Sequence, residues 1–246
     1  MSNWLTTKNH DKLNVTNYNE DNIYLFYQFF IHEHTERYNE IKFCLKKNIE
    51  LGLFTKIILF NERIYSNQEL GLNDCEMLMV TQIDCKKRLK FNDCFNEINK
   101  LHLNGYFVIC NSDIFFDKTI VNVRKSCLSQ SKSMYMLLRF EYLKEKKLGY
   151  CKLFTYQNTT TPRSDSQDTW IYHSKYQPNK TIINKCDFGF GQPGCDNKIA
   201  YVITQYGYIC YNEPWNIKTY HNHKTQVRNY TIKDVVSPPW LKLELN

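Results

Sequence analysis

Four short stretches carry side chains that can hold a metal ion or move a proton. The first is N-S-D-I-F-F-D at 111–117, directly after the apolar run YFVIC. A carboxylate presented at the end of a buried strand offers oxygen ligands to a hard divalent cation, Mg²⁺ or Mn²⁺, and Asp113 is the expected ligand. Asn111 adds no charge, but its amide can bond a ligand hydroxyl or a metal-bound water. An aspartate at such a junction also serves as an ordinary turn residue, and Asp117 reads as a cap for the segment that follows. The second stretch is G-Q-P-G-C-D-N at 191–197. Asp196 there is either the cap of a helix or a general base, and the positive end of a helix would hold its pKa down. The third is H-N-H at 221–223. Alternate residues of an extended segment point the same way, so His221, His223 or both could complete a metal site; a pair of surface histidines is the other reading. The fourth is D-S-Q-D-T-W at 165–170, where Asp168 and Trp170 could form a platform for a sugar, or the aspartate could cap a helix. Arg88 and Arg139 are candidate bidentate partners for phosphate, or else members of surface ion pairs.

These residues need elements to position them. NIYLFYQFFI (22–31), KIILFN (56–61), MLMVTQI (77–83) and GYFVICN (105–111) are nearly continuous apolar runs. Such runs suit strands buried on both faces of a parallel sheet. Between them, Tyr38, Ile41, Leu45 and Ile49 recur at helical spacing, with Thr35 as expected N-cap and Gly52 as stop. Helices are expected at 91–103 and 118–130, a strand at 133–140, a mixed region at 141–185, a helix from Asp196 or Asn197 to Gly207, and a strand at 208–212. Alternating strands and helices predict an α/β fold, with ligands at the carboxyl ends of the strands. That points to the residues just after 31, 61, 83 and 111. With no repeat or low-complexity linker, the expected organisation is a loose arm at 1–20 and one domain at 21–246.

The 246 residues suffice for a sizeable core. A formal charge of +7, from 32 Lys+Arg against 25 Asp+Glu, fits an anionic ligand. The basic runs are short and no aromatic-basic repeat occurs, so nucleic acid is not the expected partner. None of the ten cysteines forms a C-x-x-C pair, which argues against a zinc ribbon. The polar start has no apolar signal core, and no run of about 18 apolar residues occurs. The expectation is a cytoplasmic protein with reduced thiols and no membrane span.

The segments YQFFIHEHTERYNEIKFCLKKNIE, KIILFNE, KRLKFNDCFNEI, VICNSDIFFD, LLRFE, DSQDTWIY, FGFGQPGCDNKIAYVITQYGY and HNHKTQVRNY, in that order, cover most of residues 24–230. Together they resemble GT-A fold glycosyltransferases, namely the small GT-A domains of large DNA viruses, such as the chlorella-virus rhamnosyltransferase domain, and related bacterial enzymes. The resemblance implies a Rossmann-like α/β domain with a mostly parallel central sheet, binding a nucleoside-diphosphate-sugar, with a UDP-sugar favoured, and using Mn²⁺ or Mg²⁺. Tyr27 and Gln28 fall where the family's first strand meets the nucleotide, and Arg88 and Asp93 flank the base. Asn111, Ser112 and Asp113 match the D-x-D position, with Asn in place of its first Asp. Asp196 matches the carboxylate of inverting members, Asn197 beside it goes to the acceptor side, and His221 or His223 matches a late metal-binding histidine. The implied activity is hexosyl transfer to a hydroxyl of a glycan or glycosylated acceptor, in the host cytoplasm for a viral protein. The sequence leaves open the oligomeric state. Two other classes stay open: a catalytically inactive GT-A-like binding module, favoured by Asn111, and a metal-dependent nuclease using Asp113, Asp168, His221 and His223.

Overall fold

The computed structural model describes residues 22–143, 147–225, 227 and 231–246. The expected arm at 1–20, and residues 226 and 228–230 of the last matching segment, lie outside them. In chain order the elements are β1 (Ile23–Tyr27), α1 (Thr35–Glu50), β2 (Lys56–Asn61), α2 (Asn67–Leu70), α3 (Asp74–Met77), β3 (Val80–Asp84), α4 (Phe91–Lys100), β4 (Tyr106–Cys110), β5 (Ile114–Phe116), β6 (Ser133–Leu138), β7 (Phe140–Glu141), β8 (Lys152–Leu153), β9 (Gln167–His173), α5 (Lys180–Ile183), α6 (Cys195–Gln205), β10 (Ile209–Tyr211) and β11 (Thr219–His221). The fold is mixed α/β around a seven-stranded sheet of order β10-β6-β9-β4-β1-β2-β3. Every pairing in it is parallel except those of β9, which runs against both β4 and β6.

The apolar runs form strands because each strand feeds two cores. In β1, Tyr24 and Phe26 face one core while Ile23, Leu25 and Tyr27 face the other. β2 and β4 divide the same way: Ile58, Phe60, Phe107 and Ile109 on one side, and Ile57, Leu59, Tyr106 and Val108 on the other. A strand whose alternate residues both need burial has no polar face to show, which is why the sequence reads as unbroken hydrophobicity.

A second sheet, of order β5-β11-β7-β8, packs beside α1. Its strands are only two or three residues long. Asn48 of α1 ties the helix to it, donating to Ile114 O at 3.0 Å and accepting from Phe116 N–H at 3.1 Å. Thus α1 serves two partners. Ile41 and Leu45 pack on the central sheet, while Arg37, Glu40 and Asn48 form a buried polar stripe at helical spacing.

Several sequence expectations need correction. Thr35 is the first helical residue of α1 and His34 is the N-cap, without a side-chain capping bond. The expected strand at 77–83 begins later, because Asn73 and Glu76 close a capping box that takes 74–77 into a helical turn. The expected helix at 118–130 is two 3-10 segments, each started by a side-chain cap from Asp117 or Ser126. Of the stretch at 165–170, residues 167–170 open β9, so Asp168 lies in a strand and caps no helix, while 165–166 belong to the turn before it.

Gly105 immediately precedes β4 at φ +138°, and a Cβ there would lie 2.4 Å from Asn22 O. Gly105→Ala is therefore expected to cost about 2 kcal/mol or more by urea denaturation, since both the backbone conformation and the space exclude a side chain.

Candidate active site

The carboxyl ends of β1 and β4 open into a cleft of about 440 Å³. Because β9 is antiparallel to β4, its first residues arrive at that same edge: Asn111 N–H donates to Asp168 O at 3.0 Å. The end of β6 delivers Arg139 there too. The second sheet supplies the opposite wall, through the turn between β4 and β5 that carries Asp113. In β11, His221 lies level with Ile114 on one side and Glu141 on the other. This register sets His221 between two carboxylates.

Asp113 is buried, and its Oδ2 takes three partners: Arg37 at 2.5 Å, His221 Nε2 at 3.2 Å and His223 Nδ1 at 3.7 Å. Burial works against its charge, but His221 and Arg37 outweigh it and hold the carboxyl well below the usual range. His221 Nδ1 lies 3.2 Å from Glu141 Oε2. Burial and Arg139 oppose a proton on His221, yet Asp113 and Glu141 push its pKa up to about 9. His223 differs: burial and Arg37 bring it down to about 4. The Asp113, His221 and His223 ligand atoms all lie within 4.8 Å of one another. Asp113 Oδ1 is buried without a hydrogen-bond partner. Two imidazoles and one carboxylate with an unpartnered buried oxygen suit a divalent transition metal such as Mn²⁺. Glu141, at Nδ1 of His221, is placed as the outer carboxylate that fixes a metal-binding imidazole.

Asp168 is also buried. It accepts a 2.6 Å hydrogen bond from the Asn111 amide and an ion pair from Arg139, which also binds Glu141 at 2.9 Å. The Asn111 amide is thus engaged by protein. Arg139 is committed to two carboxylates, so it is not a ready partner for phosphate. Arg88 is exposed on the cleft and makes no ion pair with a described residue.

Asp196 is the second residue of α6, and Gly194, at φ +82°, is the N-cap. The capping reading of Asp196 is therefore replaced. Burial, then the charge of Asp168, raise its pKa to about 8, overriding the helix end expected to lower it. The Cys195 thiol donates to its Oδ1 at 3.0 Å.

Of the other residues marked by the sequence, Tyr27, Gln28, Ser112 and Asn197 also line the cleft. Tyr27 is almost wholly covered, and its buried hydroxyl lacks a partner. Gln28 bridges to the loop before α4, donating to Lys87 O and accepting from Leu89 N–H. Asn197 donates to Leu241 O. Asp93 lies outside the cleft lining, paired with Lys87 at 2.7 Å. Trp170 is fully buried against Phe91 and Phe190 and cannot present a face to a sugar. Sequence reasoning missed Arg37 and Glu141. Arg37 belongs to the polar stripe on α1, a signal available in the spacing of Arg37, Glu40 and Asn48.

No known family profile matches the chain, and no curated protein matches it by sequence. Among solved structures it is similar to a mannosyltransferase from Pyrobaculum calidifontis in complex with GDP-Man and Mn²⁺, at 10% identity and a TM-score of 0.49. That match covers 83% of this chain and 57% of the mannosyltransferase, so this chain spans little over half of its length. A glycosyltransferase involved in glycosylation of the major capsid of PBCV-1 matches at 12% identity and TM-score 0.41, over 83% of this chain and 94% of that one. The 2-C-methyl-D-erythritol 4-phosphate cytidylyltransferase of Francisella tularensis matches at 14% identity and TM-score 0.43, over 87% and 96%. Likeness at this level brings no activity, ligand or metal with it.

Two stability measurements test this geometry. Asp113→Ala leaves Arg37 and His221 buried without their shared carboxylate and is expected to cost about 3 kcal/mol or more by denaturant unfolding of metal-free protein. For Asp196 the sign is opposite. The unfolded chain ionises there from 3.8 upward, while the folded chain keeps the proton to about 8. Native stability is therefore progressively lost as pH rises through that window. Asp196→Asn has no such proton, so its stability relative to the parent should climb by at least about 1.4 kcal/mol between pH 4 and 8.

Proposed function

We propose that the chain is a metal-dependent, inverting glycosyltransferase that moves a hexosyl group from a nucleoside-diphosphate-sugar, with UDP favoured, to a hydroxyl of a glycan or glycosylated acceptor. The observation that carries this reading is the placement of two unlike carboxylates in one cleft. Asp113 is anionic and backed by two histidines, whereas Asp196 is raised in pKa and, among the described residues, has no cationic side chain hydrogen-bonded to it. Environments that push two carboxylates apart in pKa separate a charge-binding role from a proton-transfer role. The broad architecture shared with glycosyl- and nucleotidyltransferases agrees with the reading without adding to it.

Asp113, His221 and His223 would hold the cation, which when bound supplies positive charge to a departing diphosphate. Glu141 fixes the His221 ring and Arg37 fixes the Asp113 carboxylate. Arg88 is free to meet a phosphate oxygen. Asp196 accepts the proton of the acceptor hydroxyl as the hydroxyl oxygen bonds to the anomeric carbon. The bond from that carbon to the diphosphate oxygen breaks, and the electron pair leaves with the diphosphate. One displacement inverts the anomeric centre. A carboxyl with pKa about 8 suits a base at neutral pH better than an ordinary aspartate, because proton affinity and the fraction in the basic form are then balanced.

A second reading, a non-catalytic nucleotide-sugar-binding module, draws on the Asn111 amide being held by Asp168 and on Arg37 occupying Asp113 Oδ2. Donor turnover separates the two. With a panel of nucleotide-sugars and Mn²⁺, the parent is expected to release nucleoside diphosphate, faster as pH rises toward 8. Asp196→Asn should lower single-turnover transfer by roughly 10²-fold or more while leaving donor affinity within about twofold. No metal-dependent turnover of any donor would favour the binding module, and near-parental turnover in Asp196→Asn would remove Asp196 from the chemistry.

A further inference from the structure

The sequence places an aromatic sugar platform at Trp170, and the structure buries that residue. Another indole lies open on the same cleft. Trp240 is 48% exposed and lines the cleft together with Asp196 and Asn197. We infer that Trp240 is the stacking platform for a pyranose ring of the acceptor, held over the entrance to α6 by the C-terminal segment. The acceptor assignment rests on the glycosyl-transfer reading; the sugar platform itself does not.

The indole is held in place. Its Nε1–H donates to Val236 O at 2.9 Å, so the polar atom of the ring is satisfied within its own segment. The ring lies against Gly194, where a Cβ would come 3.3 Å from Nε1 and 3.4 Å from Cε2. Gly194 therefore has two reasons to lack a side chain: its φ of +82° and the indole above it. The backbone around Trp240 is fastened on both sides of Asp196. Val236 N–H donates to Pro193 O at 2.9 Å, and Leu241 N–H donates to Asn197 O at 2.9 Å. At the end of the segment, Asn246 and Asn212 exchange two hydrogen bonds, at 3.0 and 2.9 Å. Such anchoring is costly to maintain merely to leave a large apolar ring half in water.

The chemistry of the position selects the occupant. A fixed indole with its N–H already used offers a flat apolar face and no free donor. A pyranose presents one face of C–H bonds and a rim of hydroxyls. Stacked on Trp240, it would bury the C–H face and turn the rim toward the carboxylate that begins α6. A nucleobase also stacks on indole, but the groups suited to a nucleoside diphosphate, Asp113 with its histidines and Arg88, come from other elements of the cleft. The segment that carries Trp240 is bonded to the residues flanking Asp196.

The test uses full-length parent, Trp240→Ala and Trp240→Phe, with melting temperatures confirming that each is folded. Methyl glucosides, galactosides, mannosides and rhamnosides are titrated with saturation-transfer NMR, and UDP and GDP with Mn²⁺ are titrated by calorimetry. At least one pyranoside is expected to bind the parent. Its affinity should fall about tenfold in Trp240→Ala and less than about threefold in Trp240→Phe, which keeps an aromatic face. Nucleoside-diphosphate affinity should be the same in all three proteins. The inference is overturned if no pyranoside binds the parent, if Trp240→Ala binds pyranosides as the parent does, or if that variant loses nucleotide affinity instead. A Trp240-dependent pyranoside site in a protein that binds neither nucleotide would uphold the sugar platform and defeat the glycosyltransferase reading.

Discussion

The cleft depends on one buried charge. Asp113 sits in the turn between β4 and β5, where the central sheet ends and the second sheet begins. Its carboxylate is met by Arg37 from α1 and by His221 from β11. A buried carboxylate is tolerable only if paired and hydrogen-bonded, and here its partners come from two other, widely separated parts of the chain. Satisfying this one group therefore fixes α1, the β4–β5 turn and β11 relative to one another. Arg37 also bonds Glu40, which accepts from the backbone of Lys224 and Thr225 just beyond His223. The charge that can hold a cation is thus also the charge that assembles its surroundings.

A second chain of contacts links this centre to the proposed base. His221 meets Glu141, Glu141 meets Arg139, and Arg139 meets Asp168, whose charge raises the pKa of Asp196. The order of signs alternates along the path, so each buried charge up to Asp168 touches one of opposite sign, although Arg139 also opposes the charge of His221. That last carboxyl is where like charge and burial act together. At Asp196 the opposing contributions of the Cys195 thiol and Arg139 are too small to offset burial and Asp168, which concentrates altered proton affinity there.

How much of this was legible in the sequence follows from the range of the forces involved. β1, β2 and β4 announce themselves because burial on both faces leaves continuous apolar runs. Asp113 follows from its position after such a run, and the H-N-H spacing points both imidazoles at it. β9 was hidden because D-S-Q-D-T reads as loop, although its last three residues open the strand and antiparallel pairing buries them in mid-sheet. The short strands β5, β7, β8 and β11 are too brief to show a period. Arg37 and Glu141 were missed as site residues because their partners lie 76 and 80 positions away, a distance at which only tertiary structure reveals a pair. The change in Asp196, from expected low pKa to raised pKa, has the same origin: the helix end is local and visible, while burial and Asp168 are not. Trp170 and Trp240 differ only in burial, which sequence type does not disclose.

The central claim is that Asp113, His221 and His223 together form a metal centre in a nucleotide-binding cleft. A crystal structure grown with Mn²⁺ and a nucleoside diphosphate, with anomalous scattering collected at the manganese edge, tests it most directly. The account predicts one strong anomalous peak bonded to Asp113 and both imidazoles, with diphosphate oxygens completing its coordination. A bound nucleotide with no manganese at Asp113, or manganese bound elsewhere in the cleft, would contradict it.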